Sequence, residues 1–339
     1  MKVVHVHRMR GVGGSERHLL ALLPALRARG VDARFVGLDD PAHDSEPFYG
    51  LLDAPYERLT NARDLDPMLV ARLRRTLTGL GVDVLHTHLV HADVYGTIAA
   101  LGKPWALVST KHNDDPFRAG AFRHLEHLLA RRVDRFVAIT QALARFSVEQ
   151  ARIPSDKLDV VRYGLDTAEP WAGGSAPPPE GRLLLAIARL TEQKGLDVAI
   201  RALATVRARV PEAGLAVLGE GPERARLEAL ARELGVADHV LLPGRVGDVR
   251  AWLDRAELAV HPARWEGFGL ALLEAMLAGK AVVASGVSSI PEIVVDGETG
   301  VVVPPDDPDA LASAILALLE DDERRERLGA AGLERARRE

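Results

Sequence analysis

Short apolar runs alternate along the chain with longer segments whose apolar residues recur at helical spacing. Residues 2–7 form an apolar run of strand length, and residues 17–29 then carry five leucines toward one side. The alternation continues to the end, with further runs at 32–38, 83–86, 106–110, 135–139, 158–162, 182–188, 215–218, 239–242, 257–261, 281–284 and 301–303. Strands that alternate with helices and are apolar throughout are typical of parallel sheets covered on both faces. The pattern predicts an α/β fold with mainly parallel sheets.

The alternation is interrupted once. Residues 166–180 are rich in Pro, Gly and Ala and show no periodicity, which is typical of an exposed linker between domains. A chain of 339 residues is also long enough for two ordinary domains. We therefore predict one domain over 1–165, a linker over 166–180, a second domain over 181–320 and a charged C-terminal helix over 321–339.

Composition narrows the class of protein. The formal charge of −5, from 43 basic and 48 acidic residues, argues against a dedicated nucleic-acid binder. The absence of cysteine excludes disulfides and thiolate chemistry and is consistent with a cytoplasmic protein. The sequence begins without a signal-peptide pattern and contains no apolar stretch of membrane-spanning length.

The segment 264–279, RWEGFGLALLEAMLAG, concentrates the candidate chemistry. It follows a buried strand, and its glycines at 267 and 269 permit a tight turn just before an amphipathic helix. A helix N-terminus whose N–H groups are uncovered is suited to phosphate. Glu266 precedes this helix and Glu274 lies within it, with seven residues between them. Taken singly, each carboxylate also suits a solvated helix face.

The spacing of those two carboxylates resembles the E-x7-E signature of the retaining glycosyltransferases of family 4. The resemblance implies the GT-B architecture, in which two Rossmann-like domains face each other across a cleft. It also implies that Glu266 contacts the donor sugar and Glu274 the ribose of the nucleotide. The diphosphate would then meet the segment between them, formed by Gly267, Phe268, Gly269 and Leu270.

A second motif, RLTEQKG, follows the first strand of the second domain and places Arg189 and Lys194 at a strand's carboxyl end. Ligands of open α/β sheets bind at such ends. The motif resembles the R-x4-K-G turn of the same family, which implies that both cations neutralise the leaving nucleotide. The resemblance also implies that the segment around Val246 meets the base.

The loop GVGGSE at 11–16 follows the first strand and opens the first helix. A dinucleotide fingerprint needs a third glycine where Glu16 stands, so a nicotinamide site is disfavoured. The loop resembles the family's glycine loop, which implies that Gly13 and Gly14 lie near the donor diphosphate and that Ser15 and Arg17 lie on the acceptor side. A tight turn that only packs helix on strand remains the alternative.

Histidines accumulate after two strands of the first domain. His86, His88, His91 and Asp93 fall within eight residues, but they lack the helical or paired-cysteine spacing of a metal site. We predict no metal there and place His88 at a polar rim on the acceptor side. His112 follows the strand 106–110, and the resemblance implies that it is the active-site histidine; an ordinary loop histidine is the alternative. The sequence DLDP at 64–67 is predicted to be a helix N-cap and not a metal motif.

Three places depart from the family pattern. Tyr163 stands where the family usually has Asn, and Ser288 and Ser289 replace a usual pair of glycines. The family's last helix normally carries a further segment that crosses back to the first domain. Here the sequence stops at Glu339, so either the crossing is short or the chain is incomplete.

We therefore predict a retaining, metal-independent glycosyltransferase that requires no cofactor. It would move a sugar from a UDP-, GDP- or ADP-sugar to a hydroxyl of a glycan, a lipid-linked glycan or a small glycoside, as in polysaccharide biosynthesis. The alternatives are a sugar-nucleotide-processing enzyme of the same architecture, such as an epimerase, an NAD-dependent oxidoreductase and a lectin-like binder. Basic helices in the first domain leave open a peripheral contact with the inner face of the membrane.

Overall fold

The computed structural model describes residues 1–61, 63, 66–165 and 181–339. The chain folds into two compact units, Met1–Asp166 and Thr167–Glu339. The predicted linker at 166–180 lies outside the described residues, as do Asp64 and Leu65 of the DLDP sequence.

The first unit is built on a seven-stranded sheet in the order β3-β2-β1-β4-β5-β6-β7, in which every described pair of neighbours is parallel. Its strands are β1 (Lys2–Met9), β2 (Asp32–Asp39), β3 (Tyr56–Thr60), β4 (Val84–His88), β5 (Ala106–Lys111), β6 (Arg135–Ala138) and β7 (Leu158–Val160). Its α-helices are α1 (Gly14–Ala28), α2 (Glu46–Leu51), α3 (Pro67–Leu80), α4 (Leu89–Ala99), α5 (Phe122–Ala130) and α6 (Gln141–Glu149), with single 3₁₀ turns at Pro116–Ala119 and Ser155–Lys157.

Apolar side chains cover both faces of this sheet, as the sequence pattern predicts. One core joins Val4, Val6 and Leu85 to the buried stripe of α3, formed by Leu69, Leu73 and Leu77. The other joins Phe35 and Met9 to Leu19 and Leu23 of α1. Because successive side chains of a strand point to opposite faces, a strand buried on both sides is apolar along its whole length.

Two helices of the first unit begin at side-chain caps, and the first of these caps was predicted from the sequence. The carboxylate of Asp66 accepts a hydrogen bond from the backbone N–H of Met68 at 3.0 Å, and Pro67 occupies the first helical position of α3. The hydroxyl of Thr140 accepts from the N–H of Leu143 at 3.1 Å and opens α6. Asp66 is therefore a helix cap in this structure.

The structure differs from the sequence prediction in two places, one with two elements that were not predicted and one with an earlier helix start. Residues 41–61, too irregular to assign from the sequence, contain α2 and the edge strand β3, whose side chains are mostly exposed and so carry no apolar run. Helix α1 begins at Gly14 and not at Arg17, because the Glu16 carboxylate accepts from the N–H of Gly13 at 3.0 Å and extends the helix backward.

The second unit is built on a six-stranded parallel sheet in the order β10-β9-β8-β11-β12-β13. Its strands are β8 (Arg182–Ile187), β9 (Ala213–Leu218), β10 (Val240–Gly244), β11 (Leu258–His261), β12 (Val282–Ser285) and β13 (Val301–Val303). Its α-helices are α7 (Leu196–Arg207), α8 (Arg224–Glu233), α9 (Val249–Arg255), α10 (Leu270–Leu277), α11 (Ile290–Ile293), α12 (Pro308–Leu319) and α13 (Asp322–Arg338), with single 3₁₀ turns at Glu192–Lys194 and Ala237–His239.

Each sheet reverses its strand order once, between β1 and β4 in the first unit and between β8 and β11 in the second. The loops that leave two such neighbouring strands diverge and open a crevice at the carboxyl edge of the sheet. The predicted site residues of the second unit lie mainly on the loops after β8 and β11, which the sheet topology therefore brings together.

The last helix, α13, packs on α10 and α12 within the second unit. Its Gly329 is buried against the turn that ends α10, where a Cβ would lie 2.2 Å from the carbonyl oxygen of Gly279. A search of the described residues finds no helix that is both long enough and apolar enough to span a bilayer.

Candidate active site

The loop after β11 forms a tight turn that ends at the N-terminus of α10. Gly269 is the N-cap residue of this helix and has φ 93°, a left-handed conformation that side-chain-bearing residues rarely adopt. The helix then runs from Leu270 to Leu277. The structure thus contains the glycine turn and helix start predicted from the sequence, and the first N–H groups of α10 follow directly after Gly269.

Glu266 lies in this turn, and its carboxylate contacts one lysine and one histidine. Its Oε2 atom lies 2.5 Å from Nζ of Lys194 and 2.9 Å from Nε2 of His261, and the residue is 8% exposed. Burial alone would raise the pKa of Glu266, but the charge of Lys194 and the hydrogen bond with His261 outweigh it and lower the pKa well below 4.5. Glu266 is therefore an ionised carboxylate at neutral pH.

Lys194 reaches Glu266 because the R-x4-K-G turn is pressed against the end of β11. Gly195 has φ 58°, and a Cβ there would lie 2.0 Å from the carbonyl oxygen of Pro262. Gln193 also links this turn to the segment after β11. Its backbone carbonyl accepts from the backbone N–H of Arg264 at 2.8 Å, and its side-chain amide donates to the backbone carbonyl of Trp265 at 3.0 Å. Only glycine fits position 195 in this arrangement.

Arg264, to which the sequence analysis assigned no role, also stabilises the R-x4-K-G turn. Its guanidinium donates to both carboxylate oxygens of Asp197 at 3.0 and 2.9 Å and to the carbonyl of Glu192 at 2.8 Å. It also donates to Asp306 at 2.7 Å. Burial would raise the pKa of Asp197, but the hydrogen bonds from Arg264 lower it. Arg264 and Asp197 are separated by 67 residues, so no local pattern signals the pair.

The two serines that replace the family's glycines also contact this turn. Ser288 has φ 46° and so adopts a backbone conformation that glycine adopts readily. The fully buried hydroxyl of Ser289 donates toward the carbonyls of Glu266, at 2.9 Å, and Phe268, at 3.2 Å. Ser289 therefore holds the peptide chain on either side of Gly267.

The remaining predicted donor residues of the second unit lie on the same group of loops or on α10. Arg189 follows β8, is exposed, and reaches Oε1 of Gln193 at 3.5 Å. Glu274 lies within α10 and is 1% exposed. Val246 follows β10 and packs against the core that contains Trp252 and Leu253. The structure thus brings Lys194 and Glu266 into direct contact and places Arg189 and Glu274 on adjoining elements.

The predicted glycine loop of the first unit is the start of α1. Gly13 is its N-cap residue, and Gly14 is its first helical residue. The hydroxyl of Ser15 lies 3.0 Å from Nε2 of His7 and donates to Glu16 at 3.0 Å. Arg17 is exposed on the first turn. This loop therefore presents the N-terminus of a helix after β1, next to the point where the sheet reverses its order.

His88 and His112, the two histidines to which the sequence assigned a role, are buried and hydrogen-bonded. Nδ1 of His88 lies 2.9 Å from Nε2 of His112, and Nδ1 of His112 contacts the hydroxyl of Tyr163. Burial, reinforced by neighbouring imidazoles, lowers the pKa of His88 and of His112 well below 6.5. Both rings are therefore neutral at physiological pH, and Tyr163 occupies the neighbourhood of His112.

Three histidines of the described chain offer ring nitrogens within 4.8 Å of one another, which is close enough to consider a metal ion. They are His5, His86 and His88. The rings of His86 and His88 stack at 4.4 Å, and Nδ1 of His5 is already 2.9 Å from Nε2 of His88. A metal ion binds in the plane of an imidazole, so stacked rings direct their nitrogens side by side and not toward a common point. An ion here would also have to replace the His5–His88 hydrogen bond.

The second unit thus has a parallel sheet whose switch point carries an ionised carboxylate, a lysine and a helix N-terminus, an arrangement typical of α/β proteins that bind phosphate-bearing ligands. Two family models match the chain, "Glycosyltransferase Family 4" over residues 12–169 and "Glycosyl transferases group 1" over residues 169–335. The chain belongs to the family 4 glycosyltransferases, which have the GT-B fold.

Several known proteins are similar to this chain, some over nearly its whole length and one over about half of it. Phosphatidyl-myo-inositol mannosyltransferase of Mycobacterium leprae is 29% identical over 338 residues, which cover 96% of this chain and 89% of that protein. A GDP-mannose-dependent α-(1-6)-phosphatidylinositol monomannoside mannosyltransferase of Mycolicibacterium smegmatis is 35% identical over 201 residues, which cover 53% of this chain and 51% of that protein. The crystal structure of Anabaena Alr3699/HepE in complex with UDP-glucose matches with a TM-score of 0.85 at 23% identity, covering 99% and 94% of the two chains.

These findings confirm the predicted family, the fold and the general activity, which is sugar transfer from a nucleotide-sugar donor. They support the first of the four functions considered from the sequence over the epimerase, the oxidoreductase and the lectin-like binder.

The lowered pKa of Glu266 makes the stability of the protein depend on pH. The unfolded chain binds a proton at Glu266 near pH 4.5, whereas the folded chain does so only at lower pH. The stabilisation is therefore complete above the unfolded pKa and is lost as the pH falls through the folded one. We expect Glu266→Gln to lower the free energy of unfolding at pH 7, and we expect the difference from wild type to shrink between about pH 5 and pH 3. Urea unfolding of both proteins across this range measures it; a constant difference would contradict the assignment.

Proposed function

We propose that this protein is a retaining, metal-independent glycosyltransferase whose second unit binds the nucleotide sugar. The observation that carries the proposal is the contact between Lys194 and Glu266, which joins the R-x4-K-G turn to the E-x7-E segment at the switch point of the sheet. This contact brings a cation and a carboxylate together in the turn that leads into the N-terminus of α10. A sugar diphosphate needs these groups, since its phosphates are anionic and its sugar carries hydroxyls.

The leaving diphosphate would be stabilised by fixed charges and dipoles. Arg189 and Lys194 would supply the cations, and the N–H groups of Gly269 and Leu270 lie at the N-terminus of α10. Negative charge grows on the diphosphate as the glycosidic bond breaks, and donors fixed in advance stabilise such charge most effectively. The protein itself supplies these charges, so we propose that catalysis requires no divalent metal and no other cofactor.

The two carboxylates would bind different parts of the donor. We propose that Glu266, ionised and held by Lys194 and His261, accepts hydrogen bonds from hydroxyls of the transferred sugar. Glu274, one turn into the helix, would accept from the ribose hydroxyls. Gly267 and Phe268 would pass close to the diphosphate, and the segment at Val246 would lie against the base.

The first unit would supply the remaining groups. We propose that His112 acts in catalysis and that Gly13 and Gly14 at the start of α1 approach the diphosphate. Ser15 and Arg17 would recognise the acceptor hydroxyl, and His88, buried behind them, would support the acceptor side through its hydrogen bond with His112. Support comes from their common placement at the carboxyl edge of the sheet around β1, β4 and β5, where α/β sheets bind ligands.

The similar proteins are associated with two different nucleotide bases, since one relative is GDP-mannose-dependent and one structural neighbour contains UDP-glucose. We propose a UDP-, GDP- or ADP-sugar as donor and a hydroxyl of a glycan or lipid-linked glycan as acceptor, in the synthesis of a polysaccharide or glycolipid.

A cytoplasmic protein that glycosylates a lipid-linked acceptor would meet the inner face of the membrane. Helix α5 and the 3₁₀ turn before it expose Phe117, Leu125 and Leu128 beside basic side chains such as Arg123 and Arg131. Apolar and basic groups together favour an anionic bilayer surface.

We expect the protein to sediment with phosphatidylglycerol vesicles, and we expect Leu128→Ser to lower the fraction that sediments. Sedimentation that is equal with neutral vesicles, or unchanged by the substitution, would contradict the proposal.

The proposed reaction can be tested with purified protein, a set of UDP-, GDP- and ADP-sugars and candidate acceptors. We expect free nucleotide to be released only when both a donor and an acceptor are present, and proton NMR to show that the product keeps the anomeric configuration of the donor. The activity should survive EDTA. Complete loss in EDTA with recovery on addition of a divalent ion would overturn metal independence, and an inverted product would overturn the retaining mechanism.

Replacing each of the two carboxylates by Gln should have a different effect. Each change removes a charge-assisted hydrogen bond, worth about 1.5–3 kcal/mol. Glu274→Gln should raise the donor KM with little change in kcat, because the ribose is bound equally before and during reaction. Glu266→Gln should lower kcat by roughly ten- to a hundredfold, because its partner is the reacting sugar.

Calorimetry with free nucleotide separates the two roles independently of turnover. The Glu266→Gln protein should bind the nucleotide normally and the Glu274→Gln protein weakly. Glu298→Gln removes an exposed carboxylate of the same unit and serves as the matched control. The reverse order of nucleotide affinities would show that the two roles are exchanged.

A further inference from the structure

Four side chains of the first unit form one hydrogen-bonded line, which we call the imidazole chain. Nδ1 of His5 lies 2.9 Å from Nε2 of His88, Nδ1 of His88 lies 2.9 Å from Nε2 of His112, and Nδ1 of His112 contacts the hydroxyl of Tyr163. The members come from β1, the end of β4, the segment after β5 and the segment after β7. All four are buried, with exposed fractions between 0% and 8%.

The protons in this chain have to be ordered. Burial lowers the pKa of His5, His88 and His112 well below 6.5, so each ring carries a single proton at neutral pH. A neutral imidazole donates from one nitrogen and accepts at the other. The hydrogen bonds must therefore all run in one direction. Either all three rings are protonated on Nδ1 and His112 donates to Tyr163, or all three are protonated on Nε2 and Tyr163 donates to His112.

The buried end of the chain distinguishes the two directions. Nε2 of His5 is buried and has no hydrogen-bond partner among the atoms of the described residues. If the rings were protonated on Nε2, this atom would be a buried N–H donor without an acceptor. If the rings are protonated on Nδ1, Nε2 of His5 is an acceptor whose lone pair is unused. Buried N–H groups without acceptors are rarer in proteins than acceptors without donors, and each carries a desolvation penalty.

We propose that His5, His88 and His112 all carry their proton on Nδ1, and that His88 and Tyr163 are positioning residues that hold His112 in this tautomer. The ring of Tyr163 is itself fixed by stacking on His18 at 4.1 Å. Burial and the charge of Glu16 raise the pKa of Tyr163 well above 10.0, so its oxygen is a neutral phenol that can accept from His112. The functional part of this inference rests on the catalytic role proposed for His112.

The chain defines what His112 can contribute to the reaction. Both of its ring nitrogens are bound inside the first unit, and the ring is neutral, so it does not act as a general acid through a free N–H group. It offers the reaction a fixed, uncharged ring. Tyr163 stands where the family usually has Asn, and an Asn side chain also carries an acceptor oxygen. The exchange thus keeps an acceptor beside Nδ1 of His112 while adding an aromatic ring.

Nitrogen NMR of the histidine rings in the intact protein tests the tautomers directly. We expect His5, His88 and His112 in the wild type to show a protonated Nδ1 and an unprotonated Nε2 at pH 7 to 8, with signals assigned by the His5→Asn and His112→Gln variants. Protonation of Nε2 in any of the three rings, or a charged ring, would overturn the proposal. This measurement needs no activity, so it stands even if the protein transfers no sugar.

Two variants of Tyr163 test the positioning role. Tyr163→Phe removes the acceptor oxygen, so one buried N–H group lacks an acceptor whichever way the chain runs, Nδ1 of His112 in one direction or Nε2 of His5 in the other. The preference for Nδ1 should therefore be lost, with the Nε2 tautomer appearing in all three rings together, kcat lowered about three- to tenfold and nucleotide binding by the second unit unchanged. Tyr163→Asn should keep the Nδ1 tautomers and most of the kcat. Tyr49→Phe removes the hydroxyl of another buried tyrosine of the same unit, outside the imidazole chain, and should change neither the tautomers nor kcat.

These outcomes separate the two proposals. Wild-type kcat in Tyr163→Phe, or a switch of only one ring, would show that Tyr163 does not position His112. Correct tautomers in a protein that transfers no sugar from any nucleotide donor would refute the proposed function and leave the tautomers established. If Tyr163→Phe does not fold, the wild-type spectrum and Tyr163→Asn still decide the inference.

Discussion

The partly buried contact between Lys194 and Glu266 is the constraint on which the candidate active site depends. Two ionised groups removed from water are costly unless each finds a partner with good geometry. Here the partner of each is fixed by other parts of the loops: Gly195 allows the lysine turn to touch the end of β11, and Ser289 holds the carbonyls on either side of Gly267. The charges that the proposed reaction needs are thus in place before any ligand binds.

The first unit follows a similar principle with different chemistry. Lys111 directly precedes His112 and is buried between Asp93, at 2.6 Å, and Glu126, at 3.0 Å. Glu126 also pairs with Arg118, which donates to the carbonyl of Asn113 at 2.9 Å. Paired charges therefore fix the backbone on both sides of His112, while neutral hydrogen bonds fix its ring. A polar network with every charge paired can rigidify a site in this way.

The sequence predicts the strands and helices well because burial on both faces of a parallel sheet imposes long apolar runs. It misses β3 and α2, since an exposed edge strand carries no such run. It identifies Lys194 and Glu266 separately by resemblance, but not their contact, which joins residues 72 positions apart. The contacts of Arg264, of Ser289 and of Tyr163 with His112 were not predicted from the sequence for the same reason, because only the fold brings their partners close.

The claim that Lys194 and Glu266 act as one coupled ion pair is tested most directly by a double-mutant cycle on stability. Urea unfolding would be measured for Lys194→Met, Glu266→Gln, the double variant and the wild type at pH 7. We predict that each single change leaves the partner without its main counter-charge, so that the double variant is less destabilised than the sum of the singles by about 1–3 kcal/mol. Additive effects, within about 0.5 kcal/mol, would contradict the account.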